Sequence, residues 1–175
     1  MSEDAEAKQP EPVTQPEWMN ELVALLSLFG HRNWIVVADA AYPAQSRPGI
    51  ETRTVVESQP EAVSAVLQAI TAAKHVRPVV HLDAELDFVR ESDAPGIAEF
   101  RQQIGKILLG VPVQRLPHDK IIAKLDQAAQ VFRVLILKTP MTIPYTSVFI
   151  ELDCGYWNAE AEQRLRLAMP AGLAK

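Results

Sequence analysis

The stretch Gly30-His31-Arg32-Asn33-Trp34-Ile35-Val36-Val37-Ala38-Asp39 holds five consecutive apolar residues, 34–38, between two polar flanks. A short unbroken apolar run is typical of a strand buried on both faces in a parallel sheet, because a strand with one solvated face alternates apolar and polar side chains. Such a strand needs a covering layer on each side. It therefore points to an α/β architecture, a single layered domain with a mostly parallel central sheet flanked by helices. The same stretch sets an imidazole, His31, before the strand and a carboxylate, Asp39, at its carboxyl end. Beyond Asp39 the segment 42–49, rich in Pro, Ser and Gly, reads as a loop, and loops at strand ends are where ligands bind.

Other segments supply the layers. Trp18, Leu22, Leu25, Leu26 and Phe29 recur at helical spacing, with Gly30 where a left-handed C-terminal cap is expected. A strand over 52–56 is followed by a helix that opens at Pro60-Glu61 and carries Val63, Val66, Leu67 and Ile70 on one face. After a buried strand at 79–82, Asp93 is expected to N-cap a helix containing Ile97, Phe100, Ile104 and Leu108, with Gly110 as its stop. Strand 111–116, helix 119–129 and strands 131–137 and 147–152 complete the alternation. With 175 residues, 48% of them hydrophobic, the chain can build one full core but hardly two domains, and that domain is read over 17–157. Residues 1–16 hold three prolines, several acids and almost no large apolar side chains, which predicts a disordered arm. Residues 158–175 form a tail with helical character through Glu160, Glu162, Gln163, Arg164 and Arg166.

Charge and composition exclude several classes of function. A net charge of -5 without any Lys/Arg run argues against nucleic acid, whose phosphates require clustered positive charge. No apolar run approaches the roughly 18 residues that span a bilayer, and the acidic first residues are unlike a signal peptide, so a cytoplasmic protein is expected. The single cysteine, Cys154, has no disulfide partner and no metal-ligand spacing, and it reads as a buried, inert thiol. Glycines are scattered rather than gathered in a phosphate loop, and no G-x-S-x-G elbow occurs. No histidine has an i, i+4 partner, and Asp83-Ala84-Glu85-Leu86-Asp87 reads as a solvated turn, so neither a metal nor a cofactor is expected.

A histidine gives and takes a proton near neutral pH and a carboxylate one strand away can hold a polar substrate against it, so the segment from His31 to Asp39 reads as an acid/base site. His31 and His118 lie at element edges, where a ring can face a cleft, whereas His75 and His81 are less favoured. Asp39 has two readings: a cap for the following turn, or an acceptor for a substrate hydroxyl. His31 and Asp39 are expected to share a hollow, which requires the turn before the strand to fold back. Tyr42 and Tyr145 sit in loops beside these polar groups, and such rings suit the C–H faces of a sugar. Pro144-Tyr145-Thr146-Ser147 repeats the arrangement of polar groups opening an apolar strand.

On these two blocks the chain resembles the ribose pyranase and fucose mutarotase family, small cytoplasmic isomerases that interconvert the cyclic forms of monosaccharides. Gly30-His31 with 35–40 and Pro43 looks like the family's amino-terminal site, and the resemblance implies that His31 is the proton donor and that Asp39 binds sugar. Tyr42-Pro43-Ala44-Gln45-Ser46 is closer to the fucose-type loop, while His118, in Leu116-Pro117-His118-Asp119, resembles the substrate histidine of the ribose type. Tyr145 and Ser147 fall in the carboxy-terminal sugar-binding segment, where Ser147 replaces the usual Asn. The resemblance covers about residues 17–157 and implies homo-oligomeric rings, pentamers often paired into decamers, whose sites a neighbouring subunit completes. Ring opening would need one proton removed from the anomeric hydroxyl and one delivered to the ring oxygen, with no cofactor. Two other readings stand beside it: a non-catalytic sugar-binding or regulatory ring protein, and a structural oligomer in which Asp39 and His31 are a turn cap and an interface contact.

Overall fold

Residues 34–38 form a strand, β1 (Trp34–Ala38), and all five are buried in the computed structural model, which describes residues 16–170. Apart from Pro16 the expected arm lies outside the described residues, as do the last five residues of the tail. Around β1 are built α1 (Glu17–Leu26), β2 (Ile50–Thr54), α2 (Gln59–Ala73), β3 (Val76–Asp83), α3 (Ile97–Ile107), β4 (Val113–Leu116), α4 (His118–Ala128), β5 (Val134–Lys138), β6 (Val148–Cys154) and α5 (Ala159–Ala168). The six strands make one sheet in the order β2-β5-β1-β6-β3-β4. Pairs β1·β5, β2·β5 and β3·β4 are parallel, and β6 runs antiparallel to both its neighbours.

The period-2 geometry of a strand explains how one apolar run serves two cores. Ile35 and Val37 point into a cluster with Leu22, Val63, Val66, Ile70 and Ile104, contributed by α1, α2 and α3. Trp34, Val36 and Ala38 point the other way, against Ile121 and Leu125 of α4. The helix α2 starts where Ser58 and Glu61 close a reciprocal capping box, with Pro60 in the first turn. By contrast α5 buries none of its residues, and Leu165 and Leu167 remain exposed.

Two expected caps are corrected. Gly30 is not left-handed: α1 ends at Leu26 with Ser27 as its C-cap, and the Gly30 N–H is held by Asn33 Oδ1 at 2.8 Å. The N-terminus of α3 is capped by Glu91, which accepts from Gly96 N and Ala98 N at 2.6 and 2.9 Å, while Asp93 pairs with Arg90. Gly110 does stop its segment in the left-handed region, at φ 81°. Cys154 is half-buried rather than buried. Among the described residues no helix is long and apolar enough to cross a membrane.

Candidate functional site

Strand register builds the site. Val37, Val148, Leu82 and Arg115 are aligned across β1, β6, β3 and β4. Within one to three residues of this row, toward the carboxyl ends of the parallel strands, each chain segment turns polar: Asp39 follows β1, Ser147 precedes β6, Asp83 ends β3, and His118 opens α4 just past β4. Because β6 is antiparallel, its first residue meets the last residues of its neighbours, so Ser147 is bracketed by Asp39 on one side and Asp83 on the other.

Asp39 caps the following turn, as one of its two readings expected, and also accepts from a hydroxyl of its own chain. One carboxylate oxygen caps the following turn by accepting from Ala41 N at 2.9 Å, and the other accepts from the Ser147 hydroxyl at 2.7 Å. Ser147 Oγ in turn accepts from Asp39 N at 3.1 Å. Tyr145, in the preceding turn, has φ 59°, a left-handed conformation that costs a non-glycine residue about 1 kcal/mol or more. That conformation leaves its ring 40% exposed and edge-on to His118, with ring centroids 5.9 Å apart.

The segment 83–87 is not a solvated turn. Its three acids grip the β4–α4 corner: Asp83 Oδ1 lies 3.0 Å from His118 Nδ1, both oxygens of Glu85 accept from the His118 backbone N–H at 3.1 Å, and Asp87 pairs with Arg115 at 3.1 Å. Asp83 is 1% exposed, whereas the His118 side chain is 39% exposed. Burial pushes the Asp83 carboxyl up from 3.8 to about 6 against the pull of His118, with Glu85 and Asp39 adding to the rise. Tyr42 is buried beside Phe149, and its hydroxyl is pushed up to about 12, first by burial and then by Asp126. Sequence reasoning missed Asp83 and Glu85 because an acidic pentapeptide reads as solvent-facing. The signal available was position: an acid that ends a buried strand has little water to face.

His31 is elsewhere. It precedes β1 and lies at the amino edge of that strand, exposed in a cleft of about 540 Å³ lined by Arg77, Asp153, Tyr156, Trp157 and Glu162. Arg77 binds Asp153 at 2.5 Å there, and the charges of Arg77 and His31 help hold the Asp153 carboxyl low against its burial. The five residues of β1 separate His31 from Asp39 by roughly 16 Å along the strand. The hollow expected to join them is therefore not formed within one chain. Asp39, Ser147, His118 and Tyr145 are brought together; His31 is not. His81 is buried in β3, stacked on Trp34 at 5.0 Å and bonded to Glu151 at 3.1 Å. No group of three or more His, Cys, Asp or Glu among the described residues is arranged to hold a metal ion.

Known proteins share this arrangement of strands. A D-ribose pyranase of Geobacillus kaustophilus (strain HTA426) is 27% identical over 136 residues, which are 78% of this chain and 90% of that protein. The structure of Bacillus subtilis RbsD complexed with D-ribose matches with a TM-score of 0.55 at 16% identity, covering 84% of this chain and 98% of that one. The fucose mutarotase of Streptococcus pneumoniae in complex with L-fucose matches with a TM-score of 0.50 at 20% identity, covering 76% and 91%. At these identities the two structures speak for a shared fold. The family model matches residues 15–155, from just before α1 to just past β6. A match across the entire sheet and both strand edges settles the assignment: the chain belongs to the RbsD / FucU transport protein family.

Proposed function

We propose that this protein is a monosaccharide mutarotase or pyranase, an isomerase that opens and recloses the cyclic form of a sugar by acid/base catalysis at the carboxyl edge of its sheet. The observation that carries the proposal is the polar row Asp39, Ser147, Asp83 and His118 along four adjoining strand ends, with the half-exposed Tyr145 ring beside it. Membership of the family and the D-ribose pyranase relative support the same reaction. Asp39, already tied to Ser147, is suited to accept from sugar hydroxyls, and His118 and Tyr145 to line the ring. Aromatic and imidazole edges around a carboxylate favour a polyhydroxylated substrate with apolar C–H faces over a charged one.

In this reading His31 donates a proton to the ring oxygen. Because it stands at the opposite edge of its own chain, it serves a sugar held by a second copy, within the homo-oligomeric ring that the resemblance implies. The cytoplasmic setting belongs to the same proposal. Magnetisation-exchange NMR on a panel of aldopentoses and 6-deoxyhexoses, including D-ribose and L-fucose, tests it. Wild-type protein is expected to accelerate ring-form or anomer exchange for at least one sugar. His31→Ala is expected to slow that exchange by about 10²-fold or more with sugar binding retained. No acceleration for any member of the panel would return the chain to a binding or structural role.

A further inference from the structure

Asp83 is a costly group whose purpose neither the sequence motifs nor the resemblance supplies. A carboxylate 1% exposed must be paired to be tolerated, and its second oxygen has no partner among the described residues. Helix capping does not account for it, since Glu85 already takes the backbone N–H that opens α4. Its one side-chain partner is the imidazole of His118, at 3.0 Å. An ionised carboxylate can only accept, so the ring nitrogen facing it must carry the proton. The other ring nitrogen then points away from Asp83, on a side chain 39% open at the edge where Tyr145 stands. Phe149 meets the ring edge-on, with centroids 6.5 Å apart.

We propose that Asp83 is a positioning residue that fixes His118 as the Nδ1–H tautomer, so that Nε2 is the proton acceptor for the anomeric hydroxyl and His118 does more than recognise sugar. This deepens, and for its catalytic half rests on, the ring-opening reading above. Nε2 takes the proton of the anomeric hydroxyl, and the electron pair left on that oxygen becomes the new carbonyl bond. The bond between the anomeric carbon and the ring oxygen breaks, and the ring oxygen is protonated by His31 of a second copy or by water. Closure on the other face returns both protons, with no net oxidation or reduction. The groups that face Asp83 besides His118 are Glu85 from the 83–87 segment, Asp39 at the end of β1 and the Tyr42 hydroxyl, none of them cationic. The imidazole is thus the cation that the site can form when it accepts the proton, and Asp83 is placed to stabilise it.

The test uses full-length protein labelled with 15N-histidine, with His118 resonances identified by their loss in His118→Gln. Wild type is expected to show the Nδ1–H tautomer, and Asp83→Asn a mixture of tautomers. In the exchange assay Asp83→Asn should lower kcat by about 10- to 100-fold and change KM by less than about threefold, with the acidic limb of the pH profile displaced. A wild-type Nε2–H tautomer overturns the proposal without any substitution. So does an Asp83→Asn variant that keeps its kcat, or one that loses only sugar affinity. If wild-type protein accelerates no sugar, the ring-opening reading fails and takes the proton-acceptor role with it. The tautomer still decides whether Asp83 positions His118: fixed in wild type and released in Asp83→Asn supports it, unchanged between them overturns it.

Discussion

The Asp83 carboxyl holds its proton more tightly in the folded chain than it would in water, with its titration raised from 3.8 to about 6. For an acid shifted in this direction the folded state binds more protons than the unfolded state between the two values, so stability falls as pH rises through that window. Glu61, Glu91, Glu151, Asp153 and Glu162 are shifted the other way, and their contribution is lost on acidification below their ordinary values. Subtracting Asp83→Asn from wild type cancels these five and isolates Asp83. The difference in unfolding free energy, from denaturant titrations at a series of pH values, is expected to move against wild type from about pH 4 to about pH 6 and to be level above that. A flat difference across the window would mean that Asp83 is not buried as a titrating acid. The direction also fits a functional site, where a fold carries a destabilising group because the chemistry uses it.

Among the elements, α2 is tied to the site by one residue. Gln59, fully buried at its first turn, donates to the Thr146 carbonyl and, at 3.4 Å, to the Val37 carbonyl, and accepts from Thr139 Oγ1 at 3.0 Å. It thereby joins the ends of β1 and β5 to the turn that presents Tyr145 and Ser147. Gln59→Leu keeps the volume but orphans buried carbonyls, which costs about 1–3 kcal/mol for each group left unsatisfied. A lowered thermal midpoint together with a raised sugar KM is expected, and a variant that melts lower with KM unchanged would detach α2 from the site. Elements of this kind were legible because apolar periodicity reports burial: the sequence reading found each strand and long helix within a few residues. The starts of β3 and β5 are the loosest, read at 79 and 131 and formed at Val76–Asp83 and Val134–Lys138; β2, read at 52–56, is formed at Ile50–Thr54 with no fully buried residue, so little pattern marks its start. The cap of α3 was misread because Glu91 acts from outside the position where a cap residue is sought, and Gly30 lies past Ser27, the residue that closes α1. Asp39, Ser147, Tyr145 and His118 were read from their places at element ends and in the loops beside them, and the structure brings these four together, while their roles toward a sugar belong to the proposed function. The pairing of Asp83 with His118 could not be read, since the two lie 35 residues apart and only the β3·β4 register joins them; the place of Asp83 at the end of a buried strand was the one signal.

At the scale of the whole molecule, His31 and Asp39 occupy opposite edges of the sheet, and the geometry of a strand makes this unavoidable: residues that flank a run of five are held apart by it. A reaction that uses both therefore needs two chains, one offering its amino edge and the other its carboxyl edge. Such a heterologous contact closes into a ring when its rotation permits. The cleft around His31 is walled in part by Tyr156 and Trp157, and these two residues and all of α5 lie beyond the stretch matched by the family. Complementation tests the arrangement directly. His31→Ala and Asp39→Asn proteins, each expected to be inactive alone, are unfolded together in equal amounts, refolded and assayed for sugar exchange. If every site draws His31 from one copy and Asp39 from another, about a quarter of the sites are intact and about that share of wild-type activity returns. If both residues act within one chain, no mixture can restore a site. Native mass spectrometry of the mixture, with one variant isotopically labelled, separates that result from a failure of the copies to mix. Mixed assemblies without activity would place both residues in one chain, whereas a His31→Ala protein that is active by itself would remove His31 from the reaction and leave the carboxyl edge, with His118 and Asp83, to do the proton chemistry alone.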